Sequence, residues 1–284
     1  MRPRIAITMD DPRAVPAYGW PAAEVNRRIL DALNNHKVRA TLFVCGMRVD
    51  SPEGKQLLGT WNEAGHTLGN HSYSHFFLNS SKITLEKYCD DIARGEAVVV
   101  GFSRFEKRFR YPFFKEGETV EKRDGVRKFL RDRGYKLGPA TIDASDWAID
   151  DRLIKRVEKD PHADLAPYRQ FYLDHLWDRA QFYDDLALKV LGHHPRHTVL
   201  VHHRLLNALF LGDALDMFRN RGWELMSADE AYTDPVYDLQ PNILPAGESL
   251  IWGLAKESGK FESVLRYPGE DDIYENPKMD KLGL

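Results

Sequence analysis

What constrains this chain most is an alternation, sustained over most of its length, between short apolar runs and longer segments of helical spacing. The apolar runs are "RIAIT" (4–8), "RATLFVCG" (39–46), "HTLGNH" (66–71), "KRFRYPF" (107–113), "HTVLVH" (197–202) and "WELMS" (223–227), with "YKLG" and "ATIDASDW" between the fourth and fifth. Helical segments separate them. "AAEVNRRILDALNNH" carries Val25, Ile29, Leu30 and Leu33 at helical spacing. "SPEGKQLLGTWNEAG" opens with Ser51 as N-cap and Pro52 at the first helical position, and closes on Gly65. "ITLEKYCDDIARGEAVVVGF" and "TVEKRDGVRKFLRDRG" are two further helices, residues 150–192 are helical and aromatic-rich, and "LGDALDMFRNRG" precedes the last strand. Strand and helix in alternation predict α/β layering, and this many units suggests a closed or nearly closed barrel. An open doubly wound sheet is the alternative, but no Gly-rich phosphate loop supports it.

The length of 284 residues suffices for one large domain or two small ones. Residues 232–284 hold 5 of the 15 prolines and one helical segment, "GESLIWGLAKESG", whose Leu250, Ile251 and Leu254 share a face. The expectation is a barrel over residues 1–231 with an extension, 232–284, packed on the same domain. Lysine and arginine number 40 against 43 acidic residues, a formal charge of −3 without a long run of one sign. That balance argues against a nucleic-acid partner or a membrane surface, and no apolar run approaches the roughly 18 residues of a membrane helix. "MRPRIAITMDD" enters a strand with no leader-like hydrophobic stretch, which fits a cytoplasmic chain or the trimmed form of an exported one. Cys45 and Cys89 fall in a strand-like and a helix-like segment, and nothing indicates that they pair.

In barrels the C-terminal ends of the strands carry the chemistry, and polar residues gather at such ends here. The first run ends in Asp10 and Asp11. Neighbours on a strand point to opposite faces, so both carboxylates serve one site only where the strand kinks into its loop, and Pro12 is expected to hold Asp11 extended. "NHSYSH" follows the third strand with His71 and His75 four residues apart, a spacing that lets two imidazoles reach one ion from a helical turn or a tight loop. "HHPRH" gives His193 and His197 the same spacing, but Pro195 interrupts any helix between them and a solvated loop is expected. Then come Arg110 in "FRYPFF", Asp143, Asp146 and Trp147 in "DASDWAI", and His202 and His203 ending "TVLVHH". Singly, each has an ordinary explanation: a solvated turn, a surface charge, a core aromatic, a hydrogen-bonded rim histidine.

In order, D-D, H-S-x-S-H, R-x-P-F, D-x-x-D-W and L-x-H, each at or just after a predicted strand, resemble the five motifs of the polysaccharide deacetylase family, carbohydrate esterase family 4, over roughly residues 4–230. The resemblance implies a distorted (β/α) barrel of about seven strands that binds one divalent metal, usually zinc, and hydrolyses an acetyl group from a sugar. It implies Asp11, His71 and His75 as metal ligands, and Asp10 as general base held by Arg110 through charge-assisted hydrogen bonding. The backbone N–H of Phe113 would help stabilise the oxyanion, Asp146 would keep His202 protonated as general acid, and Trp147 and Leu200 would wall the acetyl pocket. A three-ligand site leaves the metal a position for water, and the metal's charge lets Asp10 and Asp11 coexist. The chain departs from the family pattern at Met9, Pro12 and Phe113, where Phe, Gly and Tyr are usual, and in the length of 150–192 and of the tail. None of these changes removes a functional group. A second "RYP" begins at Arg266, after the last motif, and is given no catalytic role.

These implications favour a de-N-acetylase acting on an N-acetylated sugar or polysaccharide. An Asp146–His202 pair that favours imidazolium suits a leaving amine. An O-acetyl esterase of the xylan type would use the same residues. A non-catalytic carbohydrate-binding protein on the same fold is the alternative of another class, although binding alone needs no base, acid and open metal site together. Tyr18 and Trp20, in the loop after the first strand, are expected to offer a sugar-stacking face.

Overall fold

In the computed structural model, which describes residues 2–17, 19–266 and 272–284, the first apolar run forms strand β1 (Arg4–Asp10), with six of its seven residues buried. Burial on both faces is what an interior strand of a parallel sheet requires, and it explains the unbroken apolar sequence. The elements that follow are α1 (Ala22–Asn35), β2 (Thr41–Val44), α2 (Pro52–Glu63), β3 (Thr67–Asn70), α3 (Leu85–Val99), β4 (Phe105–Phe109), β5 (Lys115–Gly117), α4 (Val120–Asp132) and β6 (Lys136–Leu137). The second half adds α5 (Asp146–Lys159), α6 (Ala166–Leu191), β7 (Arg196–His202), α7 (Leu205–Asn220), β8 (Glu224–Leu225), α8 (Ala228–Ala231), β9 (Ala246–Gly247), α9 (Leu250–Ser258) and α10 (Glu275–Leu282).

The main sheet runs β6-β4-β3-β2-β1-β7, with β8 pairing the first residues of β1, and its pairings are parallel. Residues 138–142 span the gap between its edges. Gly138 N–H donates to Phe109 O at 2.7 Å, Ile142 N–H to Thr198 O at 3.0 Å and Leu200 N–H to Ile142 O at 3.0 Å. The result is the expected distorted barrel, a curled half-barrel closed by irregular backbone rather than by a ladder. Helix α1 buries Val25, Ile29 and Leu33 as its spacing predicts. The Ser51 side chain accepts from Gly54 N–H at 3.1 Å at the start of α2, and Gly65, at φ +81°, follows its end in the left-handed conformation that glycine adopts freely.

Register decides what stands at the rim. Asp10 lies opposite Phe43 on one side and His202 on the other, while Asn70 lies opposite Val44 and Phe109. One end of the barrel therefore gathers Asp10, Asp11, His71, Arg110 and His202. Helix α3 presses close behind the histidine loop: a Cβ added to Gly95 would stand 2.6 Å from the Ser72 carbonyl carbon, so a larger residue there would push the loop.

Two expectations fail here. His197 is fully buried in β7, where its Nε2 meets Asp184 Oδ1 at 3.1 Å, while His193 alone of that pair is exposed. Pro195 breaks a helix but does not prevent a strand from beginning directly after it. The tail holds more structure than one helix: β9 pairs antiparallel with β5, and α10 buries Met279 and Glu275. Leu250, Ile251, Ala255 and Met279 join the same hydrophobic cluster as β1 and β2. Cys45 and Cys89 are free thiols, and no helix of the described residues is long and apolar enough to cross a membrane.

Candidate active site

Asp11 takes a left-handed conformation, φ +60°, and not the extended one expected before Pro12. Asp tolerates this region better than most residues because its short polar side chain bonds locally, and the kink lets both carboxylates line one cavity. Of eight described non-glycine residues at positive φ, four line that cavity, Asp11, His75, Phe113 and Phe114, and two more, Ser72 and Ser145, lie within two residues in sequence of residues that line it. Such residues cost roughly 1–3 kcal/mol each and gather at sites whose surroundings hold them. Around the histidine loop, Asp91 Oδ2 accepts from Tyr73 N–H at 3.1 Å and Ser74 N–H at 2.8 Å, and Asn70 Oδ1 accepts from Ser72 N–H at 2.9 Å.

Asp11, His71 and His75 each offer one ligand atom, and these lie within 4.8 Å of one another. The Arg110 carbonyl accepts from His71 Nδ1–H at 2.8 Å, which leaves Nε2 with the lone pair a metal needs. Burial pushes both His71 and His75 down to about 4, so both are neutral at physiological pH. Burial opposes ionisation of Asp11, but His75, His71 and Arg48 outweigh it and hold the carboxyl below the ordinary range. Asp11 Oδ1 is buried with no hydrogen-bond partner. Buried acceptors are almost always satisfied, so an orphaned carboxylate oxygen between two neutral imidazoles fits a divalent cation.

Asp10 sits beside this trio under different constraints. Arg110, only 1% exposed, donates from Nη1 to Asp10 Oδ1 at 2.8 Å, from Nε to Gly138 O at 2.7 Å, and from Nη2 to Thr8 Oγ1 at 2.8 Å and Tyr232 Oη at 3.1 Å. Its guanidinium stands 4.1 Å from the centre of the Phe43 ring. Burial outweighs Arg110 and lifts Asp10 to about 6. Removing Arg110 would leave a buried charge uncompensated, at a cost of roughly 3–5 kcal/mol. The surface-charge explanation of Arg110 is excluded.

Across the cavity, His202 Nδ1 meets Asp146 Oδ1 at 2.7 Å. Asp146 Oδ2 accepts from His202 N–H at 2.8 Å and Asn207 Nδ2 at 2.7 Å, and Tyr172 Oη donates to Asn207 Oδ1 at 2.7 Å. Burial pulls the imidazole down, but Asp146 outweighs it and raises His202 above its ordinary value. His203 points elsewhere: it is buried, with Nε2 at 3.1 Å from Asn26 Oδ1.

The cavity encloses about 250 Å³. Asp10, Asp11, His71, His75, Phe113, Trp147, Leu200 and His202 all line it, while Arg110 and Asp146 stand behind Asp10 and His202. The Phe113 ring packs edge-on to His75, 4.5 Å between centroids. Sequence reasoning missed Arg48 and Arg204, which also line the cavity. Arg48 Nη2 is 3.1 Å from Asp11 Oδ2, and its place just after β2 was the available signal. The stacking face is not found: Trp20 packs on Arg28, 4.7 Å from guanidinium carbon to ring centre, away from the residues lining the cavity, and Tyr18 lies outside the described residues. Arg266 is tied to Asp178.

Comparison with known proteins finds relatives for the first half of the chain. The model of the polysaccharide deacetylase family matches residues 1–137. A peptidoglycan-N-acetylglucosamine deacetylase of Bacillus cereus is 27% identical over 143 residues, covering 50% of this chain and 46% of the relative. The chain thus spans about half the length of that relative. Among solved structures, a polysaccharide deacetylase from Bacillus cereus superposes with a TM-score of 0.58 at 20% identity, over 80% of this chain and 92% of the other. A pseudoenzyme of carbohydrate esterase family 4 from Bacillus anthracis superposes with a TM-score of 0.56 at 20% identity, over 81% and 65%. At such identities the superpositions establish a shared fold.

Proposed function

The chain belongs to the polysaccharide deacetylase family, and on that premise we propose that it is a metal-dependent hydrolase removing acetyl groups from an N-acetylated amino sugar. Because a pseudoenzyme shares the fold, the reading rests on side chains. The observation that carries it is the meeting, in one cavity, of a carboxylate lifted toward neutrality, a histidine hydrogen-bonded to a buried carboxylate that raises its pKa, and an Asp-His-His trio with an orphaned oxygen.

Asp11, His71 and His75 would hold the metal, most plainly zinc given two imidazoles and one carboxylate. A divalent cation there supplies a Lewis acid and a water of lowered pKa. Asp10, fixed at Oδ1 by Arg110, accepts the proton of the attacking water at Oδ2. The Phe113 N–H stabilises negative charge as it grows on the acetyl oxygen. His202, with Nδ1 engaged by Asp146, gives the proton on Nε2 to the sugar nitrogen as the C–N bond breaks, and acetate and a free amine leave. Trp147 and Leu200 exclude solvent around the acetyl methyl. Since an amine leaves only after protonation while an alkoxide needs less help, the Asp146–His202 pair favours an amide over an O-acetyl ester.

The test is acetate release from N-acetylglucosamine oligomers and from acetylated xylan, each with and without chelator. Release from the oligomers that disappears with chelator supports the reading; release only from xylan replaces it with an esterase, and none from either contradicts it.

A further inference from the structure

The tail reaches the catalytic cavity from behind, at the turn that carries the Phe113 N–H. Phe113 and Phe114 are successive left-handed residues, φ +57° and +53°, and two such non-glycine residues in a row persist only where their surroundings hold them. Within the turn, Phe114 N–H donates to Tyr111 O at 3.1 Å, and Arg110 N–H pins its near end to Asn70 O at 3.1 Å. The tail pins its far end. Strand β9 pairs with β5 directly after the turn, Gly247 opposite Lys115 and Ala246 opposite Gly117. Glu248 N–H donates to Phe114 O at 2.9 Å, and Leu250 N–H to Ala140 O at 2.8 Å. The Glu248 carboxylate meets the Lys115 ammonium in a largely buried ion pair. Gly247, at φ +126°, passes so close that a Cβ there would stand 1.8 Å from Phe114 O, so no other residue fits without moving that carbonyl. Side chains follow the same path: Phe114, Ala140 and Leu200 form one buried cluster, and Phe114 and Leu200 both line the catalytic cavity. At its start the tail meets neighbouring backbone through Tyr232, whose Oη accepts from Arg110 Nη2 at 3.1 Å and donates to Pro139 O at 3.2 Å. The tail lies outside the five motifs and outside residues 1–137, which the family model matches.

We infer that Gly247 and Glu248 are positioning residues for the proposed reaction: by holding Phe114 O they keep the Phe113 N–H, which lies between two pinned ends, aimed in one direction. The inference rests on the proposed function for the role of that N–H. Negative charge grows on the acetyl oxygen only in the transition state, so a donor aimed in advance acts on the rate and hardly on substrate binding. A tail that the motifs leave out thereby becomes part of what the reaction needs.

Two readouts on the zinc-loaded full chain test it together: kinetics of acetate release from N-acetylglucosamine oligomers, per folded and zinc-bound chain, and the Phe113 amide signal in protein labelled with nitrogen-15 phenylalanine. Gly247→Ala should shift that signal and lower kcat about 10–100-fold, the scale of a donor misplaced by an ångström, with KM changed less than about threefold and zinc retained. Where Gly247→Ala does not fold, the ion pair gives a milder break. Lys115→Glu sets two carboxylates side by side and should shift the signal and lower kcat about tenfold, and adding Glu248→Lys should restore most of both. A Phe113 signal that neither variant moves overturns the inference, as does a loss that falls on KM instead of kcat, or a kcat that stays unchanged while the signal moves. Each of these leaves the deacetylase reading intact. No acetate release by the unmutated chain overturns that reading and, with it, the tail's part in the rate, while a shifted Phe113 signal would still uphold the tail's hold on the turn.

Discussion

Two histidine–carboxylate groupings face each other across one cavity and hold their protons in opposite ways. On one side, His75 Nε2 stands 3.6 Å from Asp11 Oδ2, and burial drives both imidazoles of the trio down to about 4. On the other, His202 sits 2.7 Å from Asp146 and is raised above its ordinary value. Burial penalises the charged imidazole on both sides, so burial does not distinguish them. What does is a direct hydrogen bond to a carboxylate whose second oxygen is already tied to His202 N–H and Asn207. The His71 Nδ1–H goes to a neutral carbonyl instead. In the proposed function the same residue type would serve as a ligand on one wall and as an acid on the other, according to what it bonds.

The change that should break this contrast most completely is His75→Ala. It removes one of the three proposed ligands, and both bound zinc and acetate release should vanish while far-ultraviolet circular dichroism stays native; full zinc occupancy by elemental analysis would refute the ligand set. Asp10→Asn comes next: zinc should remain and kcat should fall on the order of 10²-fold or more. In the metal-free protein, Asp10 should titrate near 6, against an ordinary 3.8, and carboxyl-carbon NMR reads this directly.

Asp146→Asn sharpens the contrast from the acid side. Asp146 raises the folded-state value of His202, so its loss lets burial pull the imidazole down and moves the alkaline limb of the rate profile to lower pH. Amide cleavage should slow roughly 10–100-fold, the scale of lost partners of this kind, and cleavage of an activated acetyl ester should slow much less. The smallest effect on rate belongs to His203→Ala. Its imidazole bonds Asn26, not the cavity carboxylates, so stability should drop by about 1–3 kcal/mol with kcat of the folded protein nearly unchanged.

The two walls were unequally legible in the sequence. The metal wall is local: Asp10 and Asp11 end one strand, and His71 and His75 fit within one tight loop, so neighbours in sequence are neighbours at the site. Even there the backbone was misjudged, because the restriction before proline says nothing of a left-handed Asp11 held by tertiary contacts. The acid wall is assembled from afar. The register of β7 against β1 sets His202 beside Asp10, the pairing of Ile142 with β7 brings Asp146 to it, and Tyr172 and Asn207, on α6 and α7, hold the pair. No spacing announces such a network. Arg48 and Arg204 escaped notice for the same reason, since an arginine after a strand reads as solvated until the fold turns it inward. His197 shows the converse error, a buried side chain taken for a loop residue because a proline stood two positions before it.

In the proposed function Asp11, His71 and His75 bind the metal, while His202, raised by Asp146, stays apart from it. Titrating zinc into chelator-stripped protein, with the histidine ring signals and acetate release from N-acetylglucosamine oligomers followed on the same sample, tests it most directly. Acetate release should rise to a plateau at one equivalent, the ring nitrogens of His71 and His75 should shift with it, and those of His202 should not. Acetate release that survives stripping, or zinc that perturbs His202 and leaves His71 and His75 unmoved, would contradict it.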